Sequence, residues 1–148
     1  MVSVLGEKTL RMFELKENIE EKNFVIEEQE EKATFELTSK YTLRAHHYLS
    51  LSPHIAVLAD EGTLIVDYKG AIVQRIEEIG ICLSNWAEGF LVGSEHIRFL
   101  RYEEGIYKVK GTFQLAEKEV EVKSVCHSDE KVLALLSNGV MIQGKVRY

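Results

Sequence analysis

From Thr34 to Leu51 the chain alternates between apolar and polar residues with a period of two. Phe35, Leu37, Tyr41, Leu43, Ala45, Leu49 and Leu51 share one parity, while Thr34, Glu36, Thr38, Lys40, Thr42 and Arg44 take the other. A helix would scatter these residues around its circumference; a half-buried strand puts each set on its own face. The run is longer than one ordinary strand, so a turn or bulge is expected near Ser39-Lys40 or His46-His47. The one stretch with helical composition is Asn18 to Lys32, rich in Glu and Lys. Its apolar residues Phe24, Val25 and Ile26 are consecutive, with no stripe at helical spacing. They read as a strand, followed by a charged turn over Glu27 to Lys32.

Further along, polar turns punctuate apolar runs. Asp60-Glu61-Gly62 separates Ile55–Ala59 from Thr63–Tyr68, and Lys69-Gly70 precedes Ala71–Ile76. Glu103-Glu104-Gly105 joins Ile97–Tyr102 to Ile106–Leu115, and Ser137-Asn138-Gly139 joins Val132–Leu136 to Val140–Tyr148. Each turn carries a Gly able to take positive φ. Gly111 and Gly144 fall inside strand patterns, where Gly often marks a bulge. No linker-like stretch divides the 148 residues, so residues 1–148 read as a single domain, long enough to bury a core without metal or disulfide staples.

Three segments align around a serine: Tyr48–Ser52 before Ile55–Leu58, Ile81–Ser84 before Phe90–Val92, and Ser124–Ser128 before Val132–Leu135. Val2–Gly6 followed by Thr9–Phe13 reads as a fourth, truncated copy. Within the first unit, Asp60-Glu61-Gly62-Thr63-Leu64-Ile65-Val66-Asp67-Tyr68-Lys69-Gly70-Ala71-Ile72-Val73 resembles a blade of the WD40 and quinoprotein-type β-propellers. Such blades have a turn Gly, a strand ending near Asp and a second Gly opening the outer strand. Val66 stands where WD40 blades prefer Trp. The resemblance implies propeller-like blades of short antiparallel strands, and carries over no cofactor and no catalytic residue.

The net charge of −6 argues against general affinity for nucleic acid or anionic lipid. A local basic patch could still form from Arg98, Arg101, Lys108 and Lys110, whose alternative reading is a solvated strand face. The acid is 21 Glu against three Asp, with four Asn and four Gln. This lean suits a thermophilic archaeal or viral source. No leader-like apolar run opens the chain and no stretch approaches the roughly 20 apolar residues of a membrane span. A cytoplasmic location with reduced thiols is therefore expected.

Few residues suggest chemistry. His46, His47 and His54 cluster near Asp60, but adjacent His46 and His47 face opposite ways on a strand, which speaks against a metal site. Cys82 and Cys126 read as small buried packing residues; His127, next to Cys126, would point away from it and could not serve as its base. Trp86 reads as a turn residue covering the edge of the core, with a binding hot spot as the alternative. The fold expected is all-β with propeller-like blades, as a partial propeller, or else a β-sandwich or small barrel. The function expected is a non-catalytic protein-interaction or scaffolding module in a larger assembly, through a protein partner or self-association, with a homodimer favoured. No catalytic, cofactor or metal residue is assigned. The alternatives are an enzyme whose site forms in the loops between blades, for which His54, Asp60, His96 or His127 would have to converge in one concave pocket, and a nucleic-acid accessory protein.

Overall fold

The computed structural model describes residues 42–116, 118–128 and 130–145 with their side chains, and the backbone of 2–5, 9–13, 16–18, 23–25 and 31–36. Among these residues there is no helix. The chain is all-β, in four blade-like antiparallel sheets and one separate hairpin. The first sheet orders β1 (Val2–Leu5), β2 (Thr9–Phe13) and β5 (Glu31–Glu36) side by side. Strands β3 (Lys16–Asn18) and β4 (Asn23–Val25) form the hairpin inserted between β2 and β5. The second sheet is a meander of β6 (Leu43–Tyr48), β7 (His54–Ala59), β8 (Gly62–Asp67) and β9 (Ile72–Ile76). The third repeats it with β10 (Cys82–Trp86), β11 (Gly89–Gly93), β12 (Ile97–Glu103) and β13 (Ile106–Phe113). The fourth has three strands, β14 (Val122–Ser128), β15 (Lys131–Leu136) and β16 (Met141–Lys145).

The sheets meet in chain order. Strand β1 neighbours β6, β6 neighbours β10, and β10 and β11 neighbour β14. The apolar contacts follow the same order. Ala56, Leu58 and Ile65 of the second sheet pack on Phe90, Val92, Leu100 and Tyr107 of the third. The opposite face of the third, with Trp86, Leu91 and Ile97, packs on Val122, Val125, Val132, Ala134 and Leu136 of the fourth. The residues of β7 therefore face apolar neighbours on both sides: Ile55, Val57 and Ala59 share a buried cluster with Leu64 and Val66, while Ala56 and Leu58 face the third sheet. All five are fully buried, which is why this strand reads as an uninterrupted apolar run.

Side chains also clasp the second sheet to the third. Asn85 donates from Nδ2 to the Tyr48 carbonyl at 2.7 Å and accepts the Ser50 N–H at 3.2 Å. Across the outer strands, Gln74 donates to the Tyr107 carbonyl at 2.7 Å and accepts the Tyr107 N–H at 2.9 Å. One amide side chain thus bonds a neighbouring backbone much as another strand would. The hydroxyls of Ser52 and Tyr107 lie 2.6 Å apart and buried. These contacts satisfy polar groups that packing the sheets would otherwise strand without water.

The turns follow their sequences. Glu104 and Gly105 at φ 51° and 84° make the two-residue turn between paired Glu103 and Ile106. Asp67 accepts the Lys69 and Ala71 N–H groups, both at 2.9 Å, and Gly70 takes φ 90°. Ser137-Asn138-Gly139 closes in the same way, with Gly139 at φ 83° donating to the Leu136 carbonyl. Gly62 is required sterically, since a Cβ there would lie 2.6 Å from the Ile76 carbonyl oxygen.

Several expectations shift. Glu31 and Lys32 open β5 instead of lying in a turn. Of the two places suggested for interrupting the long alternation, Ser39-Lys40 lies outside the described residues; the bulge in β6 falls at Arg44, not at His46-His47. Ser84 lies mid-strand in β10, whereas Ser128 ends β14 and Ser52 sits in the loop before β7. The bulge expected at Gly111 appears beside it, with Lys110 the extra residue. Gly144 is regularly paired with Val132; its missing Cβ leaves room for the Phe113 ring, 2.5 Å from where that atom would stand.

Candidate functional site

The polar residues singled out by sequence do not converge. His46 pairs with Val57 and His47 with Ala56, which puts them on opposite faces of β6. Asp60 accepts the Thr42 N–H at 3.0 Å, a turn-fixing role. His54 opens β7 opposite Asp67. Among the described residues no group of three or more His, Cys, Asp or Glu is placed to hold a metal ion. His96 accepts the Leu115 N–H through Nδ1 at 3.2 Å and lines a hollow of about 550 Å³ with Glu95, Glu119 and Glu121. His54, Asp60 and His127 do not line that hollow.

The basic residues of the third sheet are largely matched by acids. Arg98 pairs with Glu78 at 3.3 Å, Arg101 with Glu88 and Glu103, and Lys110 with Glu103 at 3.0 Å. The hydrogen bond from Lys110 holds the Glu103 carboxyl below its usual range. A field cancelled this way offers a phosphate backbone little.

The two thiols part company. Cys82 is half-buried where β10 meets β14, its Sγ donating to the Val122 carbonyl at 3.4 Å. Burial pushes this thiol up to about 11, and the hydrogen bond to Gly93 offsets only part of that. Cys126 is exposed, against the expectation that both thiols are buried packing residues. The difference is one of register: Cys126 pairs with Leu133 on the outer face of β14, while Val125 beside it takes the inner face. Trp86 is also corrected. It is the last residue of β10, 4% exposed, with its ring edge-on to Phe99 at 5.6 Å. It belongs to the interior between the third and fourth sheets.

The feature that stands out is the outer face of the fourth sheet. Along β15 burial alternates strictly: Val132, Ala134 and Leu136 face the third sheet, and Lys131, Leu133 and Leu135 face away. Pairing extends this outer face into rows. Cys126, Leu133 and Gln143 lie abreast, as do Ser124, Leu135 and Met141, and Ser128, Lys131 and Lys145. Leu133 is 36%, Leu135 40% and Met141 68% exposed. At one end Lys131 and Lys145 face each other directly across the strands, with Glu130 lining the same hollow. The face is therefore an apolar centre with a charged margin.

Sequence reading did not single out this face. The signal was present in Val132-Leu133-Ala134-Leu135-Leu136, which has the uninterrupted apolar composition of the doubly buried Ile55-Ala56-Val57-Leu58-Ala59. No protein-family profile matches the chain, and no curated protein matches it.

Proposed function

We propose that this chain is a non-catalytic protein-interaction module, one subunit of a larger assembly, whose sheets are propeller-type blades and whose docking surface is the outer face of the fourth sheet. The observation that carries this reading is β15, apolar on both faces and covered on only one. Contiguous exposed apolar side chains with a polar margin are the common mark of a protein-binding surface. The meander of four short antiparallel strands in the second and third sheets supports the resemblance to propeller blades.

No helix among the described residues is long and apolar enough to cross a membrane. The two unpaired thiols, Cys82 and Cys126, support a cytoplasmic site of action. The Glu- and Lys-rich composition supports a source living at high temperature.

The test is site-directed photocrosslinking in cells producing the chain, with the probe at Cys126 and, as control, at exposed Lys108 on β13. A discrete adduct from Cys126, absent from Lys108 and abolished by Leu135→Glu, is the expected result. Adducts of equal yield from both positions, or none from Cys126, would remove the docking surface.

A further inference from the structure

We propose that Gln74 guards the outer edge of β13: its amide occupies the backbone groups through which a strand from a second copy of the chain would otherwise pair. Strand β13 is the last strand of the third sheet and, at eight residues, the longest among the described residues. A long edge strand of β-prone residues is a template for another chain. This one carries Ile106, Tyr107 and Val109, with Ile106 43% and Val109 42% exposed. Its backbone groups point alternately toward β12 and away from it. Glu103 and Ile106 close the two-residue turn and make the bonded pair, so the N–H and C=O of Tyr107, opposite Tyr102, point outward. Val109, two residues on and opposite Leu100, shares that direction. The Gln74 amide takes both outward groups of Tyr107, donating at 2.7 Å and accepting at 2.9 Å. Those are the two bonds an added strand would make there.

The sequence around Gln74 sets up this reach. Val73 is an extra residue in β9, since Ile72 pairs with Val66 and Gln74 with Ile65. Such a bulge bends its strand and re-aims the side chains beside it, and Gln74 is the next residue. Further along β13, Lys108 and Lys110 flank Val109, and Lys110 is itself the extra residue of a bulge. Two β13 edges meeting antiparallel would bring these ammonium groups together, a repulsion that the pairing of Lys110 with Glu103 reduces. The bulge blunts the edge at Lys110; at Tyr107, nearer the turn, the amide does.

The rate of self-association tests this. Gln74→Ala is compared with Ser52→Ala, which loses a hydroxyl contact to the same Tyr107 and leaves the amide in place. Both are followed by light scattering at equal protein concentration, each in the urea concentration where circular dichroism shows the same fraction folded. Lost stability alone then moves both alike. Gln74→Ala is expected to associate at least ~5-fold faster than Ser52→Ala. Adding Val109→Pro to the Gln74 variant removes an outward N–H and should suppress that association. Gln74→Met keeps the length of the side chain without its amide and replaces Gln74→Ala if the latter fails to fold. Val109→Lys, a charge on the same edge, does the same for Val109→Pro. Equal rates for the Gln74 and Ser52 variants overturn the proposal, as does fast association that neither Val109 substitution slows.

Discussion

Strands β7 and β15 are alike in apolar composition and do two different things. Ile55-Ala56-Val57-Leu58-Ala59 lies in the interior with every residue fully buried. Val132-Leu133-Ala134-Leu135-Leu136 has the same apolar run, yet every second residue faces outward. Composition alone would assign both to the centre of a stack. The difference teaches that an apolar run reports how many faces a strand is built to bury, while the position of its sheet in one chain decides how many it does bury. The excess in β15 is the observation behind the proposed docking surface.

The contrast should appear first in stability. Leu58→Ala empties a fully buried site and is expected to cost about 3 kcal/mol, whereas Leu135→Ala in dilute solution should cost well under ~1 kcal/mol. Urea titration of the two variants measures both. Comparable losses would mean that β15 is covered on both sides within one chain, and the proposed docking surface would disappear.

Next in size are the glycines that permit the turns. Gly62→Val drives a side chain against the Ile76 carbonyl in the second sheet and should cost on the order of 2 kcal/mol or more. Gly139→Ala, in the turn that ends β15, meets no atom within 4 Å and bears only its φ of 83°. It should cost about 1 kcal/mol. Thermal melts that ranked the two in the opposite order would contradict the packing described for β8 and β9.

The clasp between the second and third sheets comes third. Gln74→Ala removes both hydrogen bonds to the Tyr107 backbone and should destabilise by about 1–2 kcal/mol. Amide exchange at Tyr107 offers a local readout, with faster exchange expected in the variant. Unchanged protection there would show that the outer strands hold together without this side chain.

The smallest effect is on the thiols, and it sharpens the same inner-versus-outer distinction. With its thiol pushed up to about 11, Cys82 is a thiolate in on the order of one molecule in a thousand at pH 8. Maleimide should label exposed Cys126 rapidly in the native protein and Cys82 only slowly, with mass spectrometry separating the peptides. Because folding raises this thiol from 9.0, the folded state holds the proton that the unfolded state releases. Its contribution to stability is therefore complete below about pH 9 and declines as pH rises through about 11. Cys82→Ser should flatten that part of the alkaline profile. Rapid labelling of Cys82 without denaturant would contradict its place between β10 and β14.

Strand identity was legible because period-two patterning and turn chemistry are local. Ile55–Ala59, Ile97–Tyr102 and Val132–Leu136 lie within strands whose ends differ from these limits by one residue at most. The hairpin glycines stand in turns for reasons a dipeptide already contains. The N-terminal segments Val2–Leu5 and Thr9–Phe13, read as part of a truncated copy, pair as antiparallel strands. The candidate surface was only half legible. An apolar run shows two faces to bury, but nothing in it says which sheet is last.

What the sequence determined by itself was therefore the all-β class, the strands and their turns, since these depend on residue type and spacing within a few neighbours. Tertiary structure alone decided which residues meet between sheets and which face is left open. Cys82 and Cys126 were alike in sequence, and Trp86 looked like a turn residue. Their fates turned on strand register and on sheet stacking. A shift of one residue along a strand exchanges its two faces, and stacking brings together side chains as distant as Gln74 and Tyr107. Neither is written in any short stretch of chain, because burial is a property of what lies opposite.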